Sequence, residues 1–483
     1  MHKVPEFIYF DGKETILIQN KTQFCENIYK SESFDLIYDK LILNESESVI
    51  NWAYDLKLVC NTRKILALIG TVYFLASICT NLALSKFADM FGRRNIYLLL
   101  NLISFLSLFQ LLYLKHLSQL IFTSFVLGVS SLNLAIGSVI INETVDKKYS
   151  GLVMGISNAM FPFGGLVNIF FMYFFKNWYY YLIFTIVLCV ACNILGFIYL
   201  EESPKWQYAN QYHKDFLKTV EVIAKLNGTN DLSFYDELFK LKQTKNNSII
   251  KLGSKNEEYR THVYGWYDLV KYPSLRLLTL KNIYLWIFTG FSFFGVLLNL
   301  EGLTGDFYVD GIVAYSAEII AEIGSGAVSS YFGRRNISII SFLLAGVSTC
   351  LFSIFKIEFL KIVFLFLSAI GIASGFNVLY IYSAELYPTN VRSLSISVFS
   401  LFNRLAASTI PILLTYTSNI TPLICVLSFV ASFVAFSMQE SITYDAGDEI
   451  KELKEDIYEL EGDKCIEGEK TFMYFHDVFD SNF

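Results

Sequence analysis

The sequence predicts an all-α protein that crosses a lipid bilayer many times, built as two pseudo-symmetric helical bundles. Three observations carry this. Apolar runs near or above the roughly 18–20 residues needed to cross the hydrocarbon core recur at 65–85, 96–114, 118–141, 151–175, 178–200, 278–300, 309–331, 336–355, 359–383, 393–417 and 421–438. Lys and Arg gather in alternate connections between those runs. The charged landmarks of the first half return in the second at a nearly constant offset.

The eleven runs are read as helices because a helix satisfies its own backbone hydrogen bonds in lipid. With 54% hydrophobic residues and 17% charged ones, the chain concentrates its charge outside them. Residues 1–63 hold no apolar run long enough to span and are read as an extracellular region. The first bundle takes 64–200, a cytoplasmic loop 201–277, the second bundle 278–438, and an acidic cytoplasmic tail 439–483. Orientation follows from Lys86, Arg93 and Arg94, Lys147 and Lys148, Arg334 and Arg335, and Arg392, which mark the cytoplasmic connections. Only Lys115, Lys176, Lys356 and Lys361 occupy the opposite ones.

Smaller features fall outside the spans. "QYHKDFLKTVEVIAKLNG" (211–228) sets Phe216, Val220, Ile223 and Leu226 on one helical stripe closed by Asn227-Gly228. "DELFKLK" (236–242) suggests a second short helix, and Ile450, Leu453, Ile457 and Leu460 a third in the tail. Cys25 and Cys60 are candidates to pair if their region is extracellular. In that case the glycosylation sequons at 20–22 and 44–46 are usable, whereas the one at 142–144 faces the cytoplasm. The five histidines form no metal-ligand cluster. No nucleophile elbow, phosphate loop or zinc motif is present, and no basic stripe suits nucleic acid. Enzyme chemistry, a cofactor and a metal are therefore not expected.

The repeat is read from "SKFADMFGRR" (85–94) and "GAVSSYFGRR" (326–335). Gly92, Arg93 and Arg94 match Gly333, Arg334 and Arg335, 241 positions on; Glu143 matches Glu385 and Glu202 matches Glu440, at offsets of 242 and 238. Paired halves around a midplane cavity are the architecture of alternating-access carriers. Asp89 lies at i,i+4 from Arg93, and an acid there also suits a neighbouring helix N-terminus. Together with Arg392, these residues are expected to form an inner-face latch that makes and breaks as the halves move.

"SKFADMFGRR" resembles the loop between spans two and three of the major facilitator superfamily. "EESPKW" (201–206) and "AELYPTNVR" (384–392) are similar to motifs of its sugar and organic-ion carriers. "FFGVLLNLEGLTGDFYVDGIVAYSAEI" (293–319) and "YDLVKYPSLRLLTL" (267–280) resemble the organic cation, carnitine and organic anion transporter family. That resemblance implies the major facilitator fold and a secondary carrier for a small organic ion. A monomer in the plasma membrane is the expected setting. It also implies a first span ahead of "NWAYDLKLVC" (51–60), and that family span is expected to be missing. The second-half Asp position is Ser330, and Ser85 and Ser150 stand where relatives carry Gly and Arg.

Charges inside spans are costly and functional. Arg404 lies 12 residues beyond Arg392, about 18 Å along a helix, and Glu322 lies 12 residues before Arg334, with Glu318 one turn further out. They are read either as a permanent buried pair or as the two ends of a substrate site. At the positions of Arg404 and Asn377 the resemblance disfavours a simple cation, and at Glu322 a simple anion. A carboxylate on Arg404 and an ammonium on Glu318 or Glu322 together fit a zwitterion such as a betaine or carnitine-like compound. Phe376, Tyr380, Trp286, Phe293 and Phe294 lie in spans that the family uses for its cavity, and are candidate cation–π partners. A sugar porter and a non-transporting sensor homologue are the competing readings.

Overall fold

A computed structural model describes residues 7–10, 15–17, 41–43, 49–228 and 268–440, apart from 57, 59–61, 146, 211, 272, 300–303, 305, 388 and 418–419. Cys25, Cys60, the first two sequons, the helix expected at 236–242 and the tail helix lie outside the described residues. Near the N-terminus β1 (Phe7–Phe10), β2 (Thr15–Leu17) and β3 (Leu41–Leu43) pair antiparallel in the order β2-β1-β3. Nothing in the sequence reading anticipated that sheet.

After the short α1 (Trp52–Asp55), the first half consists of α2 (Thr62–Phe91), α3 (Arg93–Gln110), α4 (Leu117–Ser130), α5 (Leu132–Thr144), α6 (Lys147–Phe175) and α7 (Trp178–Tyr199). Helices α4 and α5 make one span, interrupted where the Ser131 hydroxyl donates to the Gly128 carbonyl at 2.7 Å. The connection holds α8 (Pro204–Ala209), α9 (His213–Leu226) and α10 (Asp268–Lys271). The second half consists of α11 (Pro273–Leu298), α12 (Phe307–Phe332), α13 (Arg334–Ile354), α14 (Glu358–Leu386), α15 (Thr389–Tyr416) and α16 (Thr421–Phe436).

Among the described residues, nine helical stretches are long and apolar enough to cross a membrane, with shorter ones at Ala67–Asn81 and Thr421–Phe436. They coincide with the eleven apolar runs of the sequence. Large apolar side chains face outward along them, Phe197 at 72% and Phe433 at 72% exposure. Such a surface is stable only against lipid. In the connection, α9 buries Phe216 and Val220, and Gly228 at φ 75° follows its last turn, as the stripe predicts.

The two halves meet along two seams. Helix α2 packs on α15, and α6 on α12. The described ring contacts between the halves lie toward the end of the helices away from the Arg-Arg turns. Tyr308 stacks edge-on against Tyr173 at 5.4 Å and donates to the Met172 carbonyl at 3.4 Å. Deeper in, Phe293 meets Phe161 at 6.1 Å and Phe294 meets Phe74 at 4.9 Å. Two glycines set how closely the helices approach. A Cβ on Gly155 would lie 2.8 Å from the Glu322 carbonyl oxygen, and one on Gly70 would lie 2.9 Å from the Pro411 ring.

Residues 49–56 and 58 lie across one end of the first half. The Ile50 amide donates to the Lys176 carbonyl at 2.8 Å, and the Trp178 amide to the Ile50 carbonyl at 3.1 Å. The Trp178 indole donates to the Asp55 carboxylate at 2.7 Å. Burial raises Asp55 above the ordinary value of 3.8, opposed in part by that hydrogen bond. The docked segment thus holds the Asp55 proton more tightly than the free one. Its docking is firmest below about pH 3.8 and weakens as pH rises through the shifted value. Asp55→Asn keeps an acceptor and removes the charge. Limited proteolysis of residues 49–58 at neutral pH is expected to be no faster in that variant than in the wild type.

Candidate substrate cavity and inner-face networks

The inner-face networks are built around two glycines that only glycine can occupy. Gly92 (φ 96°) and Gly333 (φ 89°) turn the chain between α2 and α3 and between α12 and α13. Each following helix begins with Arg-Arg, whose amides have no partner inside the helix. The Glu202 carboxylate accepts from the Arg93 and Arg94 amides, each at 3.1 Å. Glu440 accepts from the Arg335 amide at 3.2 Å. Both carboxylates also sit on the positive end of a helix dipole.

The guanidinium groups repeat the pattern. Arg93 bonds Glu143 at 3.0 Å, and Arg334 bonds Glu385 at 3.3 Å. Arg94 donates to the Phe197 carbonyl at 2.9 Å, and Arg335 to the Phe436 carbonyl at 2.6 Å, with its guanidinium 5.2 Å from the Phe436 ring. Ser329 receives a further bond from Arg334 at 2.7 Å. These described contacts all join helices of the same half. In this state they fix the ends of each bundle, and none of them clasps one bundle to the other. The side chains of Asp89, Arg392 and Ser330 lie outside the described residues.

Gly92→Ala or Gly333→Ala forces a side chain into a backbone conformation that costs of order 1–3 kcal/mol. The new Cβ at 333 would also lie 2.8 Å from Glu440 Oε2. Each variant is expected to lower the melting temperature of the purified protein by several degrees, at about 2–4 °C per kcal/mol.

The chain carries its intramembrane charges on α12 and α15. Glu318 and Glu322 are 3% and 6% exposed on α12. Asn377 of α14 donates to the Glu322 carbonyl and to Ser325 Oγ, both at 2.9 Å. Across the seam, Asn158 of α6 donates to Asn377 Oδ1 at 3.4 Å and reaches the Glu322 carboxylate. Asn158 was missed in the sequence reading; a polar amide within an apolar run was the available signal. Arg404 of α15 is half-buried, and among the described residues no ion pair joins it to Glu318, Glu322 or any other group. Tyr380 lies within the electrostatic reach of both Arg404 and Glu322 and is hydrogen-bonded to Ser400. It is 39% exposed, whereas its neighbours Val378, Leu379 and Tyr382 are buried. Its ring is therefore accessible in this state.

The aromatic candidates divide into three groups. Tyr380 and Phe376, with ring centroids 5.2 Å apart, stand beside the charged groups. Phe293 and Phe294 belong to the packing between the halves on the outer side. Trp286 is fully buried; its indole donates to Ser383 at 3.0 Å and its ring meets Tyr380 edge-on at 4.4 Å. In this state it braces Tyr380 from behind and does not line the space, because its apolar face is packed on Phe399 and Phe376.

A five-span and a six-span bundle with duplicated inner-face networks leave few superfamilies to choose from. A family model described as Major Facilitator Superfamily matches residues 46–411. The chain belongs to the Major Facilitator Superfamily. Within this superfamily it is 26% identical over 387 residues to solute carrier family 22 member 21 of Mus musculus, covering 77% of this chain and 64% of that protein. It is 25% identical over 362 residues to organic cation/carnitine transporter 2 of Homo sapiens, covering 72% and 61%. A solute carrier family 22 member 15-like protein of Xenopus laevis is 24% identical over 475 residues, covering 95% and 89%. The chain spans a little under two thirds of the first two relatives. These relatives fall in the branch that the sequence motifs resemble. The inward-open xylose transporter XylE of E. coli shares the fold, with a TM-score of 0.57 at 14% identity over 79% of this chain and 87% of that one. That likeness concerns the fold alone.

Proposed function

We propose that this facilitator is a secondary carrier of a small organic ion, working by alternating access, and that the solute carries both a positive and a negative group. The observation that supports this most is Arg404, an intramembrane guanidinium without an ion pair among the described residues, beside a Tyr380 that is also within reach of the buried Glu322. A guanidinium left without an anion in lipid is expensive. A solute carboxylate supplies the missing partner in a planar two-hydrogen-bond geometry. An ammonium group on the same solute then finds Glu318 or Glu322, with the faces of Tyr380 and Phe376 beside it. The names of the carnitine-transporting relatives agree with such a zwitterion.

Movement follows from where the halves touch. Their described ring contacts gather toward the end away from the Arg-Arg turns, which supports a cavity closed on that side. Rocking on the α2–α15 and α6–α12 seams opens the outer side, while the inner networks carry each bundle's ends as rigid units. We place the carrier in the plasma membrane as a monomer.

Uptake into cells expressing the full chain tests this with labelled carnitine, tetraethylammonium, an aromatic anion and glucose. Carnitine uptake exceeding that of the others is the expected result. Glucose uptake alone contradicts it, as does surface expression without transport of any of the four.

A further inference from the structure

Glu318 and Glu322 lie one turn apart on the same face of α12, and Oε2 of each is buried without a hydrogen-bond partner. No salt bridge reaches either among the described residues. The facing groups can be named element by element. On α12 itself Tyr315 stands beside Glu318, with Tyr181 of α7 behind it. Helix α6 presents Asn158, and α14 presents Asn377 and Tyr380. Helix α15 presents Arg404, within electrostatic reach of Tyr380. Helices α11 and α13 carry their described cations near the cytoplasmic ends, as Arg276, Lys281, Arg334 and Arg335. Among the described residues Arg404 is the one cation on these elements away from their ends, and it makes no direct contact with either carboxylate.

Two ionised carboxylates a turn apart repel each other, and burial strips both of hydration. Arg404 balances one of them, which leaves a net negative charge in the membrane interior. We infer that Glu318 and Glu322 share a single proton in the resting carrier, so that the cavity offers one carboxylate and one guanidinium. This rests on the proposed zwitterion reading and sharpens it. An electrically neutral site is matched by a solute whose own charges sum to zero, in both the empty and the loaded state. Loss of the shared proton adds one negative charge and turns preference toward cations. The pair thus determines specificity as well as binding.

Infrared spectroscopy of the purified full chain in lipid reads the proton directly. At pH 7 the wild type is expected to show the C=O stretching band of a buried carboxylic acid, shifting in heavy water. Glu318→Gln and Glu322→Gln are each expected to lose it, because the remaining carboxylate is held ionised opposite Arg404. In uptake, either single variant is expected to fall by about tenfold and the double variant by far more than the two losses combined, the mark of two groups of which either can supply the one carboxylate. Wild-type carnitine uptake is expected to decline toward alkaline pH while tetraethylammonium uptake rises, and both single variants should lack that crossing. A wild type without the band at pH 7 overturns the inference, as does a band that survives in both single variants. If the band is present but carnitine is not transported, the shared proton stands and the zwitterion reading fails. Carnitine transport without the band has the opposite meaning, and holds whether or not the variants fold.

Discussion

Arg404→Ala lowers uptake of a carboxylate-bearing solute by about 30-fold to more than 1,000-fold, the range set by 2–5 kcal/mol for removing one partner of a buried charge pair. The loss is specific to transport. Where an arginine holds a fold together, truncation strands its carboxylate partner and destabilises the protein. Arg404 has no ion pair among the described residues, so its removal breaks no direct contact, and the Glu318–Glu322 pair can offset the lost charge by taking up a second proton. Thermal stability and surface expression should therefore match or exceed those of the wild type. Arg404→Lys retains charge without the planar fork and should recover only part of the uptake. Equal losses of uptake and melting temperature in Arg404→Ala would indicate a structural role.

The second large effect is at the α6–α12 seam. Gly155 has the Glu322 carbonyl oxygen 2.8 Å and Ile323 Cα 3.4 Å from where its Cβ would be. Neither atom is a flexible side-chain end, so a larger residue must push two helix backbones apart. Gly155→Val is expected to abolish transport while leaving each bundle folded, because the clash lies between the halves and not within one. Gly155→Ala should give an intermediate loss. Gly164→Ala on the same helix meets nothing within 4 Å and serves as the silent control. Labelled uptake normalised to surface protein checks all three. Wild-type transport in Gly155→Val would remove close helix approach from the mechanism.

How far the sequence revealed this arrangement depended on periodicity. The spans were legible because a helix crossing lipid must be apolar over its whole length, and their orientation because Lys and Arg accumulate on one side. Glu202 and Glu440 were legible through duplication, since a repeated acid beside a repeated "ES" step is improbable without a shared job. Their task of receiving amides at two helix starts depended on tertiary placement. The bonds from Arg94 to Phe197 and from Arg335 to Phe436 end on backbone carbonyls, which any residue provides, and so left no sequence signal. The docking of Ile50 on residues 176–178 is backbone pairing of the same kind. Trp286 was assigned to the cavity by its span, but side-chain direction on a helix turns by about 100° per residue, and packing alone decides which face is covered. Asn158 needed a partner from the other half before its role could be seen.

Spin labels at Met90 and Tyr331, after replacement of the eight native cysteines, report the separation of the two bundles at their cytoplasmic ends. Both sites are exposed, at 68% and 85%, and they belong to different halves. Pulsed dipolar measurements on the full chain in lipid are expected to show a long and a short distance, with carnitine shifting the population between them. A single distance that no solute alters, in protein that still transports, would contradict rocking of two rigid halves about a shared cavity.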